Sequence, residues 1–405
     1  MASLYLHIPF CEHKCIYCDF YSIAPAETHE NSEGLVAGFL QSLEREIDIR
    51  AADRVFKTSY DTIFFGGGTP SLLAPDAVAS ILNRLADRFS VDNKAEITLE
   101  TNPGTVDLAK LRAFRAAGIN RISFGIQSFH ENDLKFLTRI HNAEQAKENV
   151  RNAFKAGFDN VSFDLIFALP GQSMDAWNSN LAQAVALSPT HISCYSLIVE
   201  PNTPLKRMVE SKQVALLSVD EDAAMYERTV EFLDRAGFQQ YEVSNFARPG
   251  YACRHNRSYW NHENYLSFGP SAHSFWNGKR WWNLSNVVGY SDALRKGTIP
   301  VAGEEVLAEE QWFDEVVILG LRSEGIVLHA FEQRFRKNLL TEFKSLIDDL
   351  TSNGLVAVER DRLRLTLKGY LLCDEICRRF CAQGISGSGR NHSPSVEPTP
   401  VLLRT

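Results

Sequence analysis

Ala117-Gly118-Ile119-Asn120-Arg121-Ile122-Ser123 is echoed by Ala156-Gly157-Phe158-Asp159-Asn160-Val161-Ser162. Each copy reads as a helix ending on a left-handed glycine, followed by a tight turn into a strand. A looser copy, Ala236-Gly237-Phe238, leads into Tyr241-Glu242-Val243-Ser244. Outward from these, runs of apolar, β-branched and aromatic residues mark strands at 4–8, 61–66, 96–101, 121–126, 160–167 and 191–198. Helical periods lie between them. From Asn142 to Gly157, Ala146, Val150, Ala153 and Phe154 share one face, with Asn142 as N-cap. Strands alternating with helices mean a parallel sheet with helical crossovers. Six units fit an open doubly wound sheet or a barrel, full or partial, and pattern alone does not choose.

The chain has 405 residues, 44% hydrophobic and 23% charged, so it is an ordinary globular protein of more than one domain's length. A net charge of −8 argues against nucleic-acid binding and against a polybasic membrane anchor. No run approaches the roughly 18 apolar residues that a membrane span needs, which leaves at most peripheral membrane contact. Met1-Ala2-Ser3-Leu4-Tyr5-Leu6 has no signal-peptide character. A reducing cytoplasm is therefore expected, with the eight cysteines as ligands or buried thiols rather than disulfides.

The βα alternation predicts a first domain over 1–250. Residues 251–305 are rich in aromatics, Asn, His and Gly and read as a connecting segment. Residues 306–381 read as helices plus a hairpin at 354–358 and 362–366, a winged-helix-like module. It holds more acidic than basic side chains, so DNA binding is a poor expectation. Cys373, Cys377 and Cys381 recur every four residues on its last helix; an apolar stripe is favoured over a metal site. Residues 382–405, rich in Gly, Ser and Pro, read as a disordered tail.

The strongest chemical signal is Cys11-Glu12-His13-Lys14-Cys15-Ile16-Tyr17-Cys18, directly after the first strand. Barrel and doubly wound folds place their sites at that end. Three thiolates at this spacing can hold a corner of a cubane iron–sulfur cluster and leave one iron open. A structural zinc site wants a fourth ligand and a second knuckle, and three buried thiols are the bland alternative.

Tyr5-Leu6-His7-Ile8-Pro9-Phe10-Cys11, with Cys15 and Cys18, resembles the radical S-adenosylmethionine superfamily. Within it, the match is to oxygen-independent coproporphyrinogen oxidases and their haem-chaperone relatives of the HemW type. The resemblance covers about residues 1–380. It implies a partial (β/α)6 barrel, a [4Fe–4S] cluster on Cys11, Cys15 and Cys18, and S-adenosylmethionine chelating the open iron. It also implies an electron donor for the cluster.

Further motifs fall where that resemblance expects them. Gly66-Gly67-Gly68-Thr69-Pro70 ends the second strand, where glycines let backbone amides and carbonyls approach a polar ligand. Gly67, Gly68 and Thr69 match the family's contact to the methionyl amino group. Glu100, Gln127 and Asp164 lie in the third, fourth and fifth strands, and Arg139 follows in Leu137-Thr138-Arg139. Charges in apolar strands demand a ligand or an ion pair, so Arg139–Asp164 or Arg139–Glu100 pairing is the structural alternative. By resemblance these four bind S-adenosylmethionine, flanked by Tyr5 and Tyr17.

Two features depart from the oxidases. Asp19 and Phe20 follow Cys18 where the oxidases have Gly-Cys, and only four residues precede Tyr5. Both match the haem-chaperone branch, as does Arg254-His255-Asn256-Arg257-Ser258-Tyr259-Trp260, which resembles its H-N-x-x-Y-W motif. The resemblance implies that His255 binds haem near the barrel mouth, with Tyr259 and Trp260 in its apolar wall. His262, His273 and Cys253 are rival ligands. The expected function is a haem chaperone serving apo-haemoproteins; the alternative is coproporphyrinogen oxidation to protoporphyrinogen. Reconstituted Cys15→Ala should lose its iron, sulfide and reduced-cluster EPR signal entirely. A cluster surviving in that variant would contradict the assignment.

Overall fold

The computed structural model describes residues 1–24 and 32–384. Six parallel strands form the centre: β1 (Ala2–Ile8), β2 (Ser59–Gly67), β3 (Ser90–Thr101), β4 (Arg121–Gln127), β5 (Asn160–Phe167) and β6 (His191–Ser196). They adjoin in chain order. Between them run α1 (Ser32–Ala51), α2 (Pro75–Arg88), α3 (Leu108–Ala117), α4 (Ala143–Lys155) and α5 (Met174–Ala186), with α6 (Val219–Arg235) after β6. This is an α/β architecture, a partial (β/α)6 barrel with open edges.

Local chemistry sets the ends of these helices. Asp107 caps α3, Asn142 and Gln145 form a capping box on α4, Ser173 caps α5, and Ser218 and Glu221 box α6. Gly118, Gly157 and Gly237 follow α3, α4 and α6 with φ of 114°, 90° and 84°, as the repeat predicts. The third copy then differs. Only β7 (Gln239–Gln240) and β8 (Asn245–Ala247) form, both antiparallel, and Tyr241–Ser244 is not a strand. The Tyr241 hydroxyl instead reaches inward to His191 Nε2 at 2.8 Å.

Residues beyond 251 rejoin the sheet rather than merely connecting domains. After α7 (Arg254–Trp260), β9 (Tyr265–Phe268) pairs parallel with β1. Then β10 (His273–Trp276), β11 (Lys279–Asn283) and β12 (Val301–Val306) add antiparallel strands, with α8 (Val287–Arg295) before β12. The sheet thus reaches 12 strands among the described residues.

Alternation along the six strands sorts their faces. Leu4, Leu6, Ile8, Ile63, Phe65, Leu99, Ile122, Phe124, Val161, Phe163 and Ile192 join the apolar core under the helices. The intervening residues, Ser3, Tyr5, His7, Thr62, Glu96, Thr98, Glu100, Arg121, Ser123, Ser162, Asp164, His191 and Ser193, occupy the other, concave face. That face is polar, unlike the branched apolar filling of a closed barrel.

The C-terminal part packs α9 (Glu309–Leu321) and further helices around a three-stranded sheet of β13 (Ile326–Val327), β14 (Val356–Glu359) and β15 (Arg362–Leu365). Its last helix, α10 (Cys373–Gln383), turns Cys373, Cys377 and Cys381 into that domain's apolar core, so the stripe is packing. Ordered helix extends to Gln383, past the expected start of the tail; residues 385–405 lie outside the described residues. Among the described residues, no helix is long and apolar enough to cross a membrane.

A buried carboxylate ties the later strands to the first helix. Glu46 of α1 accepts hydrogen bonds from Gly269 N (2.9 Å), Asn283 Nδ2 (2.8 Å) and Tyr290 Oη (2.7 Å), with Arg50 Nε at 3.8 Å. Glu46→Ala should cost about 3–5 kcal/mol, because three buried donors and a cation lose their partner. Urea denaturation checks this; a loss below about 1 kcal/mol would contradict the staple.

Candidate functional site

The cysteine loop follows β1. Its base is stitched to the glycine turn after β2: Gly68 N donates to Ile8 O (2.8 Å) and Thr69 N to Phe10 O (2.7 Å). The Gly67 amide donates to the Glu100 carboxylate. The Gly68 and Thr69 amides thus fix the turn against the cysteine loop. Gly67 has φ of 106°, and a Cβ there would sit 2.7 Å from the His7 ring.

All three cysteines are free thiols. Thr69 Oγ1 donates to Cys11 Sγ (3.6 Å) and Arg139 Nη1 to Cys15 Sγ (3.5 Å), the kind of support a cluster thiolate receives. Burial pushes the Cys18 thiol up to about 12, so a metal must displace its proton. Among the described residues, no three His, Cys, Asp or Glu side chains converge on one ion. A mononuclear zinc site does not fit this donor set. Three thiols spread over one loop suit the corner of a multi-iron cluster.

Above the loop, the strand ends bring four expected residues together. β4 carries a bulge against β5 between Gly125 and Gln127, and Gln127 has φ of 69°. A non-glycine residue there is strained, and such strain concentrates at functional sites. The absent Cβ of Gly125 makes room: it would lie 3.0 Å from Gln127 Nε2 and 3.3 Å from Arg139 Nη2. Arg139 Nη2 donates to Gly125 O at 2.6 Å, while Arg139 Nε is buried without a partner. Neither expected ion pair of Arg139 with Glu100 or Asp164 forms.

Glu100 is pushed up to about 8, first by burial and then by the negative charge of Asp164. Asp164 is also raised by burial, and Ser123 Oγ donates to it at 3.5 Å. Tyr5 stacks on Phe64 with its hydroxyl 3.2 Å from His7 Nδ1. Tyr17 packs against Leu137, Ile166 and Leu169.

His255 lies elsewhere than expected. It enters the concave face from α7, beside Thr62 and Glu96, four positions before Gly66 and Glu100 on β2 and β3. That is roughly 13 Å below the mouth at about 3.3 Å per strand residue. It is 1% exposed, with Nδ1 2.7 Å from Thr62 Oγ1 and Nε2 2.9 Å from Tyr259 Oη. Both nitrogens are engaged. Its ring stacks on Phe64 at 4.9 Å and meets Tyr259 edge-on at 4.9 Å; Trp260 makes no ring contact with it. Among the rivals, His262 stands 2.8 Å from Glu315 Oε2 and stacks on Phe275. His273 stacks on Trp282, and Cys253 lies buried 3.5 Å from Glu96 Oε1.

Sequence reasoning missed His7, Glu96, Arg121, His191 and Tyr241 on the same face. For His7, Glu96, Arg121 and His191 the signal was strand parity with Tyr5, Glu100 and Asp164; Tyr241 lies outside a strand and carried none. Burial, then Arg121, hold His255 down at about 3 from an ordinary 6.5. The imidazole is neutral when folded, so its contribution is complete above about pH 6.5 and is lost as pH falls towards 3. His255→Gln should therefore flatten the acid loss of stability between pH 6 and 4 by about 1.4 kcal/mol per pH unit. Urea titrations at several pH values measure it; an unchanged slope would contradict a buried neutral imidazole.

The Radical SAM superfamily model matches residues 5–181, and the HemN C-terminal domain model matches residues 307–372. The heme chaperone HemW of Bacillus subtilis (strain 168) is 33% identical over 389 residues, 95% of this chain and 100% of that protein. The Haemophilus influenzae heme chaperone HemW is 40% identical over 271 residues, 67% of this chain and 69% of that one. Among solved structures, the coproporphyrinogen III oxidase HemN from Escherichia coli, a radical SAM enzyme, superposes with a TM-score of 0.79. It is 25% identical, covering 93% of this chain and 89% of that chain. With the cysteine loop, the partial barrel and full-length relatives agreeing, the chain belongs to the HemW family of the radical SAM superfamily.

Proposed function

We propose that the chain binds haem and passes it to apo-haemoproteins in a reducing cytoplasm. On this reading Cys11, Cys15 and Cys18 hold a [4Fe–4S] cluster reduced by an external electron donor. S-adenosylmethionine lies over Gly67, Gly68, Thr69, Glu100, Gln127, Arg139 and Asp164, between Tyr5 and Tyr17. When bound, the cluster supplies one-electron chemistry to the sulfonium. The chain's own residues do the holding: Arg139 offers a cation to the methionyl carboxylate, and Glu100 and Asp164 offer acceptors to the sulfonium and ribose end.

The observation that carries haem binding is the state of His255. Nδ1 lies 2.7 Å from Thr62 Oγ1, and in the tautomer protonated at Nδ1 this is the orienting hydrogen bond that metal-ligating imidazoles use. Tyr259 Oη then caps Nε2, the nitrogen that iron would take. His255 would hold the iron through Nε2 once the Tyr259 hydroxyl is displaced, and Trp260 lies on the same helix. The family supports the reading, since its named relatives are heme chaperones.

A second reading, coproporphyrinogen oxidation, is favoured by the likeness to the Escherichia coli oxidase. Against it stands Phe20, 41% exposed where the oxidases carry a cysteine. Haem titration of the anaerobically reconstituted protein separates the two. Tyr259→Phe should tighten haem binding several-fold by freeing Nε2, and His255→Ala should change the Soret spectrum. His262→Ala and His273→Ala should leave it unchanged. Formation of protoporphyrinogen at a rate comparable to a true oxidase, or an unaltered spectrum in His255→Ala, would overturn the proposal.

A further inference from the structure

Arg121 opens β4 on the concave face and is 2% exposed. Its Nε is sealed from solvent with no hydrogen-bond partner, and no carboxylate of the described residues lies within ion-pair distance of it. Its register partner on β3, Thr98, is also buried with an unpartnered Oγ1. A buried guanidinium with an unbonded N–H keeps a donor for an anion, because an unsatisfied buried polar group costs free energy.

Two acids face the guanidinium, Glu96 and Asp164, and both also serve other donors. Glu96 Oε1 accepts from Arg254 N (2.9 Å) and His255 N (3.3 Å), and Asp164 accepts from Ser123. The other groups facing the guanidinium are neutral: the His191 and His255 rings, the Tyr241 hydroxyl and the Cys253 thiol. The next residues of β4 on this face are Ser123 and Gly125, and the Gln127 and Arg139 side chains cover Gly125 at the strand end.

We infer that Arg121, with Thr98 Oγ1 beside it, receives a carboxylate arm of the tetrapyrrole whose iron His255 ligates. This rests on the haem reading above. It adds the polar anchor that fixes the macrocycle's orientation: a planar guanidinium matched to a propionate. The anchor and the candidate ligand share Glu96 and Cys253 as neighbours.

The test compares haem with its dimethyl ester, which keeps the ring and iron but removes both negative charges. Wild-type protein should hold haem about tenfold or more tightly than the diester, the range of a charge-assisted hydrogen bond. R121Q should bind the two forms alike, and R121K should restore part of the preference. Circular dichroism and Tm confirm that the variants fold; the wild-type comparison needs no variant. Equal binding of acid and ester by wild type, or an undiminished preference in R121Q, would overturn the inference while leaving haem binding intact. Failure of wild type to bind either form would instead remove the haem reading on which it rests.

Discussion

Along β1 the side chains run Leu4, Leu6, Ile8 towards the helices and Ser3, Tyr5, His7 towards the concave face, and the other five parallel strands keep the same parity. That two-residue period sets both fold and site. A slip of one residue in β4 would carry Arg121 and Gln127 under α3 and α4, and turn Ile122 and Phe124 into the polar chamber. Each buried charge misplaced in this way costs several kcal/mol. The parity therefore fixes register, and register sets Glu100 beside Ser123 and Asp164 beside Gly125. The acids and cations of the site are consequences of the pairing that holds the sheet together.

The polar chamber is costly, and its groups are mostly satisfied in ways that keep them neutral. His191 is held between Ser162 and Tyr241, His255 between Thr62 and Tyr259, and His7 between Tyr5 and the Tyr21 carbonyl. The exceptions are informative. Among the described residues they include Arg121 Nε, Arg139 Nε and Thr98 Oγ1, which belong to the face that receives ligands in the proposed function.

The six parallel strands and their glycine-terminated helices were legible because each signal is local: a cap, a period, a left-handed glycine. The strands after residue 251 were not. Tyr265–Phe268 and His273–Trp276 are four residues each, and β9 is recruited by β1 from the far end of the chain, which leaves no short-range mark. The cysteine loop and strand-end residues were found by motif. The depth of His255 and the commitment of the glycine-turn amides depend on three-dimensional packing that no motif encodes.

The central claim is that one chamber holds both the cluster loop at its mouth and a haem at His255 beneath. Pulsed EPR on protein carrying oxidised low-spin haem and a nitroxide attached at Glu12→Cys in the cluster loop, with the cluster left oxidised and diamagnetic, measures the distance between loop and haem directly. The account predicts a resolved dipolar interaction at the short separation set by the β1–β2 strand length. Two magnetically independent signals, with haem fully bound, would place the haem outside the chamber and contradict it.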